Sequence, residues 1–239
     1  MSGVVEFAAV TLVMAGGALV QGCIGFGLGL FAVPFLVLIQ PQFVPGPILF
    51  SSGLLTIMML IRERHGIQRA DLAWSLSGRV VGTGVAMAVL VLVPADQMKL
   101  IFGLLILLAT GLAASGYHVR TTPRTLTGAG MLSGFMATTV SIGGPPMALL
   151  YSRQEGPQLR ATLSAYFVVG TVISLVGLHL VGRFGLRELL LGLGTLPGMA
   201  IGFALSIQAV RFVDGKALRP TILAVCAMTG TLVVIQALR

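Results

Sequence analysis

Gly22, Gly25, Gly27 and Gly29 fall within eight consecutive residues, and the surrounding segment from 7 to 61 holds no Asp, Glu, Lys or Arg. Each glycine costs up to about 1 kcal/mol against alanine inside a helix, so this run does not hold a straight helix well. A helix restarting near Leu28 presents amides that lack intrahelical partners, together with the positive end of its dipole. That chemistry is an anion site made of main chain, without a charged side chain. A second segment, 133–146, has the same character: the hydroxyls of Thr138, Thr139 and Ser141 run into Gly143-Gly144-Pro145-Pro146. Pro suits a first helical turn, so one helix is expected to stop here and another to begin. Pro34, Pro145 and Pro146 are read as helix-breaking positions. Small residues also let membrane helices pack closely, so one such motif is weak; two breaks at equivalent places point to a binding site.

Other candidates lie inside apolar runs. Ser51 and Ser52, with Thr162 and Ser164 later in the chain, offer hydroxyls at matching positions, against the plain alternative of bonds to a carbonyl one turn back. Arg79 is the one charged residue well inside an expected span, about 10 Å along its helix from Leu72 at 1.5 Å per residue. A charge at that depth suggests function; the alternative is that it snorkels to an interface. The seven carboxylates, Glu6, Glu63, Asp71, Asp96, Glu155, Asp214 and Glu188, all fall in expected loops or helix ends. Coupling through an intramembrane carboxylate is therefore disfavoured. His65, His118 and His179 are dispersed, and Cys23 and Cys226 read as packing residues. Neither a metal or cofactor motif nor a nucleophile–base spacing nor a nucleotide-binding loop is present, so an enzyme is not expected.

The elements that must position these groups follow from composition. The chain has 239 residues, 15 Lys or Arg against seven Asp or Glu, a net charge of +8, and a hydrophobic fraction of 56%. Mean hydropathy is +1.01. Charged residues make up 9%, against roughly 25% in soluble domains, which excludes an ordinary soluble enzyme. The basic balance does not indicate nucleic acid, because the positives sit in short clusters between apolar runs, as in membrane loops. Uncharged runs at 100–119, 125–152, 161–182, 189–210 and 220–238 join the first one. Backbone in lipid must pair with itself, so these are helices about 20 residues long. Helical segments are expected near 4–21, 28–39, 45–62, 72–93, 98–117, 124–138, 145–151, 158–182, 187–210 and 218–238. With Glu6 and no Lys or Arg before its apolar stretch, the beginning of the sequence does not read as a secretory signal.

A shift of 112 residues superposes Gly16 on Gly128, Gly22 on Gly134, Pro34 on Pro146 and Ser52 on Ser164; a shift of 119–120 superposes Gly82 on Gly202 and Gly111 on Gly230. Two related halves, 1–118 and 119–239, are expected to form one integrated membrane domain. If the halves run parallel, positive charge divides 8 to 6 between the two sides, which gives no orientation. If each glycine-broken segment is re-entrant and returns to its own side, Arg62, Arg64, Arg69, Arg120, Arg124, Arg153, Arg160, Arg211, Lys216 and Arg219 share one side. Lys99, Arg183, Arg187 and Arg239 share the other. This 10-to-4 split fits the cytoplasmic excess of positive charge. It favours inverted repeats, each with one re-entrant segment plus three spanning helices, and with both termini outside the cytoplasm. The expected fold is an all-α polytopic membrane protein, in a bacterial cell a multi-pass protein of the inner membrane.

These residues resemble the TauE/SafE sulfite exporter family, also described as sulfonate-uptake permeases. The resemblance spans nearly the whole chain. It rests on Gly22…Gly25-Phe26-Gly27-Leu28-Gly29…Pro34, on Leu132-Ser133-Gly134 leading to Ile142-Gly143-Gly144-Pro145-Pro146, and on Arg160-Ala161-Thr162. It implies a permease for a small sulfur-containing anion such as sulfite, a sulfonate or sulfoacetate, with its site at the glycine breaks and no cofactor. On this reading the anion sits between the amides near Gly27, Gly29, Gly143 and Gly144, helped by hydroxyls, and access alternates as one half rocks against the other. The expected partners are the anion and the bilayer, and a homo-oligomer is compatible with both. A passive anion channel and a structural or assembly subunit of a membrane complex are the alternatives.

Overall fold

The computed structural model describes residues 3–63, 67, 69–117, 119–151, 156–210 and 215–238. Among them are eleven α-helices, one short 3₁₀ turn and no strand. The first helix, α1 (Gly3–Ile24), ends where Gly25 and Gly27 take φ of 102° and 127°, a region open to glycine and costly for other residues. A second, α2 (Leu28–Ile39), doubles back beside it: Gln40 Nε2 at its end donates to the Glu6 carboxylate near the start of α1 at 2.7 Å. The 3₁₀ turn Pro41–Phe43 leads into α3 (Gly46–Arg62), followed by α4 (Arg69–Leu92) and α5 (Ala95–Ser115).

A capping box closes the start of α6 (Pro123–Val140): the Thr122 hydroxyl accepts from the Thr125 amide, and the Thr125 hydroxyl accepts from the Thr122 amide. Ser141, at φ 58°, ends α6, and α7 (Gly144–Leu150) returns so that the Val119 amide reaches the Leu149 carbonyl at 3.5 Å. Then come α8 (Gly156–Leu180), α9 (Leu186–Gly194), α10 (Leu196–Ala209) and α11 (Gly215–Ala237).

Among the described residues, four helices are long and apolar enough to cross a membrane, over Val5–Ile24, Asp71–Leu92, Gln97–Ser115 and Gly156–Leu180, and a fifth span forms if α9 and α10 count as one. Helices α2 and α3 and the part of α11 from Leu223 to Ala237 are apolar but shorter. Leu12, Ile61, Leu92 and Leu180 are each at least 69% exposed. Apolar surface on this scale, on several helices at once, is a face for lipid. The core beneath it is built from Met14, Leu28, Leu36, Ile48, Leu55, Ile106 and Met136.

Helix pairing keeps its form when α1–α5 and α6–α11 exchange roles. Helix α1 packs on α10 as α6 packs on α4; α2 meets α11 as α7 meets α5; α3 lies against α8, and α5 against α11. Both strong crossings use glycine to bring backbones together. Gly82 lies against the Met131 carbonyl and Gly134 against the Arg79 carbonyl at the α4–α6 crossing, while Gly202 lies against the Ala15 carbonyl at α1–α10. The α3–α8 pair runs in opposite directions, since Gly53 meets Thr171 at one level and Glu63 meets Arg160 at another. So does α5–α11, where Gly103 meets Val234 and Gly230 meets Ile106.

Two expectations need correction. The segment expected as one helix over 187–210 is two, bent by 44° at Thr195. Pro197 has no amide to continue the first helix, and the Thr195 hydroxyl donates to the Gly192 carbonyl while the Ser51 hydroxyl contacts both Thr195 and Gly192. Pro34, expected to break a helix, lies within α2. Its missing amide leaves the Leu30 carbonyl free, and the Cys226 thiol of α11 donates to that carbonyl at 3.0 Å. The charge count for orientation used Arg64, Arg153, Arg211 and Arg239, which lie outside the described residues, as do His65, His118, Glu155 and Asp214.

Candidate functional site

The two breaks touch. A methyl group on Gly29 would overlap the Ser141 carbonyl, and the ring of Phe26 lies against Gly144. Ser141 is held in its left-handed conformation by a 2.7 Å bond from its hydroxyl to the Pro45 carbonyl. A non-glycine residue there carries strain of order 1–3 kcal/mol, which the surrounding contacts must hold. Where the breaks meet, a cavity of about 40 Å³ opens. One water needs roughly 10–15 Å³, so the space suits an ion of a few heavy atoms.

Gly27 and Gly29 line this cavity from the first break; Ser141, Gly143, Gly144 and Pro145 line it from the second; Ser52 and Arg79 come from α3 and α4. Arg79 is 1% exposed and does not snorkel. Its Nη1 donates to the Ser133 hydroxyl and its Nη2 to the Ser174 hydroxyl, both at 3.3 Å. The guanidinium carbon lies 5.2 Å from the Tyr166 ring centre and 6.0 Å from that of Phe167, distances at which a ring face stabilises a cation. Nε has no partner. Among the described residues, no carboxylate pairs with this charge; the ion pairs there are Glu63 with Arg160 at 2.7 Å and with Arg62 at 3.4 Å, at the end of α3.

The serines tie Arg79 to the breaks. Ser133 donates to the Gly143 carbonyl at 2.6 Å, and Ser174 accepts from Thr138, which in turn contacts Thr83. Thr138 thus belongs to the network holding the cation, although it does not line the cavity. Other candidates lie elsewhere. Thr139 bonds back to the Phe135 carbonyl, one helical turn away. Ser164 is buried without a hydrogen-bond partner and outside the cavity. Gly22 packs against Ser206 of α10, and its carbonyl accepts from Arg62 at 2.7 Å. Gly25 turns the chain against Arg160. Pro146 is buried in the first turn of α7.

Gln21, Phe26, Thr56 and Thr171 also line the cavity and were not singled out from sequence. Gln21 Oε1 accepts the Leu28 amide at 3.1 Å, capping α2, while its Nε2 donates to Thr56 at 3.3 Å. A polar side chain next to the glycine run was the available signal for it. Thr56 and Thr171 gave none, because they reach the site only through the packing of α3 against α8.

The small void is thus bordered by a buried guanidinium from α4, by Ser52, Thr56, Ser141 and Thr171, and by glycines of both breaks. Among the described residues no group of His, Cys, Asp and Glu could hold a metal ion. A family model described as sulfite exporter TauE/SafE matches residues 9–233. Neither a curated protein nor a solved structure matches the chain.

Proposed function

The chain belongs to the sulfite exporter TauE/SafE family, a transporter family, and we propose that it is a permease carrying a small sulfur-containing oxyanion through the cavity at its two helix breaks. It is a multi-pass membrane protein, and the proposed membrane is the bacterial inner one.

The observation that carries this reading is Arg79. Burying a lone charge costs several kcal/mol, and here the guanidinium lies inside an apolar helix bundle with Nε buried and unbonded and no carboxylate partner among the described residues. An anion entering the cavity supplies the missing charge. Low dielectric strengthens that attraction relative to water, and the amides at the start of α2 add to it. Sulfite or a sulfonate meets the demand with oxygens on several sides, which suits donors converging from α2, α3, α4 and the second break.

In this proposal the halves are inverted repeats whose short arms, α2 and α7, re-enter the membrane. The opposed directions of α3 with α8 and of α5 with α11, and the doubling back of α2 and α7, support it. The moving bodies are then not the sequence halves themselves. Each long broken arm is packed on a helix of the other half, so α1 with α10 and α4 with α6 are the units expected to rock about the fixed site.

Proteoliposomes containing the protein test this with radiolabelled sulfite and short alkyl sulfonates. Saturable flux with counterflow is expected. No flux of any small anion would overturn the proposal, and currents at single-channel rates would replace the carrier with a channel.

A further inference from the structure

The polar cavity carries a single permanent charge. Among the residues that line it, Arg79 alone has an ionisable side chain; the others are Gln21, apolar residues, glycines and the hydroxyl residues Ser52, Thr56, Ser141 and Thr171. The helices packed around Arg79 add no second charge. From α6 it meets Ser133 and Gly134, and from α8 Tyr166, Phe167, Gly170 and Ser174. Tyr166 is the titratable group of that set, and its hydroxyl donates to the Gly130 carbonyl at 3.4 Å. Asp71 lies in the first turn of α4, two turns before Arg79. Arg124, Arg160 and His179 lie near the ends of α6 and α8, and Arg62 with Glu63 at the end of α3. The helix ends at the breaks largely offset one another. Each break sets the carbonyl end of one helix beside the amide end of the next, α1 with α2 and α6 with α7, and these opposed partial charges are about half a unit each.

We infer that the site binds and carries its anion in the singly charged form, so that sulfite travels as hydrogen sulfite. This rests on the proposed reading of the polar cavity as an anion site. A monoanion beside Arg79 completes a neutral pair, whereas a dianion leaves one negative charge unpaired in the interior, where the penalty is large. A sulfonate already meets the condition. Sulfite must first take a proton from water on the entry side, forming one bond to hydrogen, and that proton returns to water on the exit side. The protein neither gains nor loses a proton in the cycle. Movement of sulfite is thereby linked to movement of protons with no titratable carboxylate in the cavity wall. The hydroxyls of Ser52 and Thr171 can accept a hydrogen bond from the protonated anion as well as donate one. Sulfate, which keeps two charges at neutral pH, is excluded by charge.

Calorimetry on the purified full-length protein tests this with sulfite, sulfate and chlorate, a pyramidal anion shaped like sulfite that stays singly charged. On the alkaline side of the hydrogen sulfite pKa, titrations in buffers of differing ionisation enthalpy are expected to show uptake of about one proton per sulfite bound. Sulfite affinity is expected to fall about tenfold for each further pH unit. Chlorate should bind with no proton uptake and with the same affinity throughout, and sulfate roughly tenfold or more weakly than chlorate. Sulfite bound on the alkaline side without proton uptake would overturn the inference and leave the anion site standing, as would sulfate binding as tight as that of chlorate. Proton uptake with chlorate would also overturn it, because the proton would then belong to the protein. Binding of none of these anions would remove both readings together.

Discussion

Gly170 of α8 faces Arg79 so closely that a methyl group at position 170 would overlap the guanidinium at Nε. The glycine is the space in which the buried cation lies. Gly170→Ala gains helix propensity, up to about 1 kcal/mol, but overpacking a filled interior costs about 1–3 kcal/mol. The expected result is lower thermal stability and at least tenfold weaker sulfonate binding, measured by melting and calorimetry on the same preparation. Higher stability with unchanged affinity would mean that Arg79 can swing clear and is not fixed by its neighbours.

Arg79→Met is expected to separate stability from function. It removes a lone buried charge, while Ser133 and Ser174 keep their bonds with Gly143 and Thr138. The ligand-free variant should melt at or above the wild-type temperature, yet carry no anion in proteoliposomes. Arg79→Lys should not restore flux, because a single ammonium cannot reproduce the planar fork that spans Ser133 and Ser174.

Gln21 joins the cap of α2 to the cavity wall. In Gln21→Glu the carboxylate still accepts the Leu28 amide, now with charge assistance, but the donation to Thr56 is lost and a carboxylate is buried, so a somewhat lower melting temperature than wild type is expected. Its negative charge faces the anion and cancels Arg79, so binding near neutral pH should be lost. Acid protonates the new carboxyl and removes the repulsion, so affinity should return as pH falls. Gln21→Ala loses the cap, at about 1 kcal/mol, but keeps measurable affinity. A pH titration of binding in the two variants checks the difference.

Cys226 and Pro34 form a compensating pair through Leu30. Cys226→Ala leaves the Leu30 carbonyl buried without a donor, at about 1–3 kcal/mol, and Cys226→Ser should recover much of the loss. Pro34→Ala supplies an amide to the same carbonyl from within α2. The double variant Cys226→Ala with Pro34→Ala should therefore be less destabilised than the sum of the two singles. Melting temperatures of the four proteins provide the cycle.

Helix limits were legible wherever the chain carries its own punctuation. Gly25 and Gly27 end the first arm and the Gly143–Pro146 run starts α7, because backbone freedom and a missing amide act locally. Arg79 stood out for an equally local reason, a charge amid apolar neighbours. What could not be read depends on helices distant in sequence. Thr56 and Thr171 become cavity walls only once α3 lies on α8. Likewise, α2 runs unbroken through Pro34 with its freed carbonyl satisfied, since the donor, Cys226, comes from the last helix. The bend at Thr195 had its signal in Pro197, but an uncharged run long enough to span concealed it. The paired serines and threonines separate for the same reason: Ser52 meets the cavity, and Ser164, at the matching place, is buried away from it.

The crossed pairing of arms also sets an order of assembly. A ribosome delivers α1 first and α10 nearly last, so the opening hairpin must wait in the bilayer with its Gly22 face uncovered while most of the polypeptide is still being made. Helix α6 meets α4 after a single intervening helix, and that crossing can close early. Maturation would then begin at the middle of the chain and finish when α10 closes on α1 and α11 on α2 and α5, leaving the nascent N-terminal hairpin the longest-lived point of exposure to quality control.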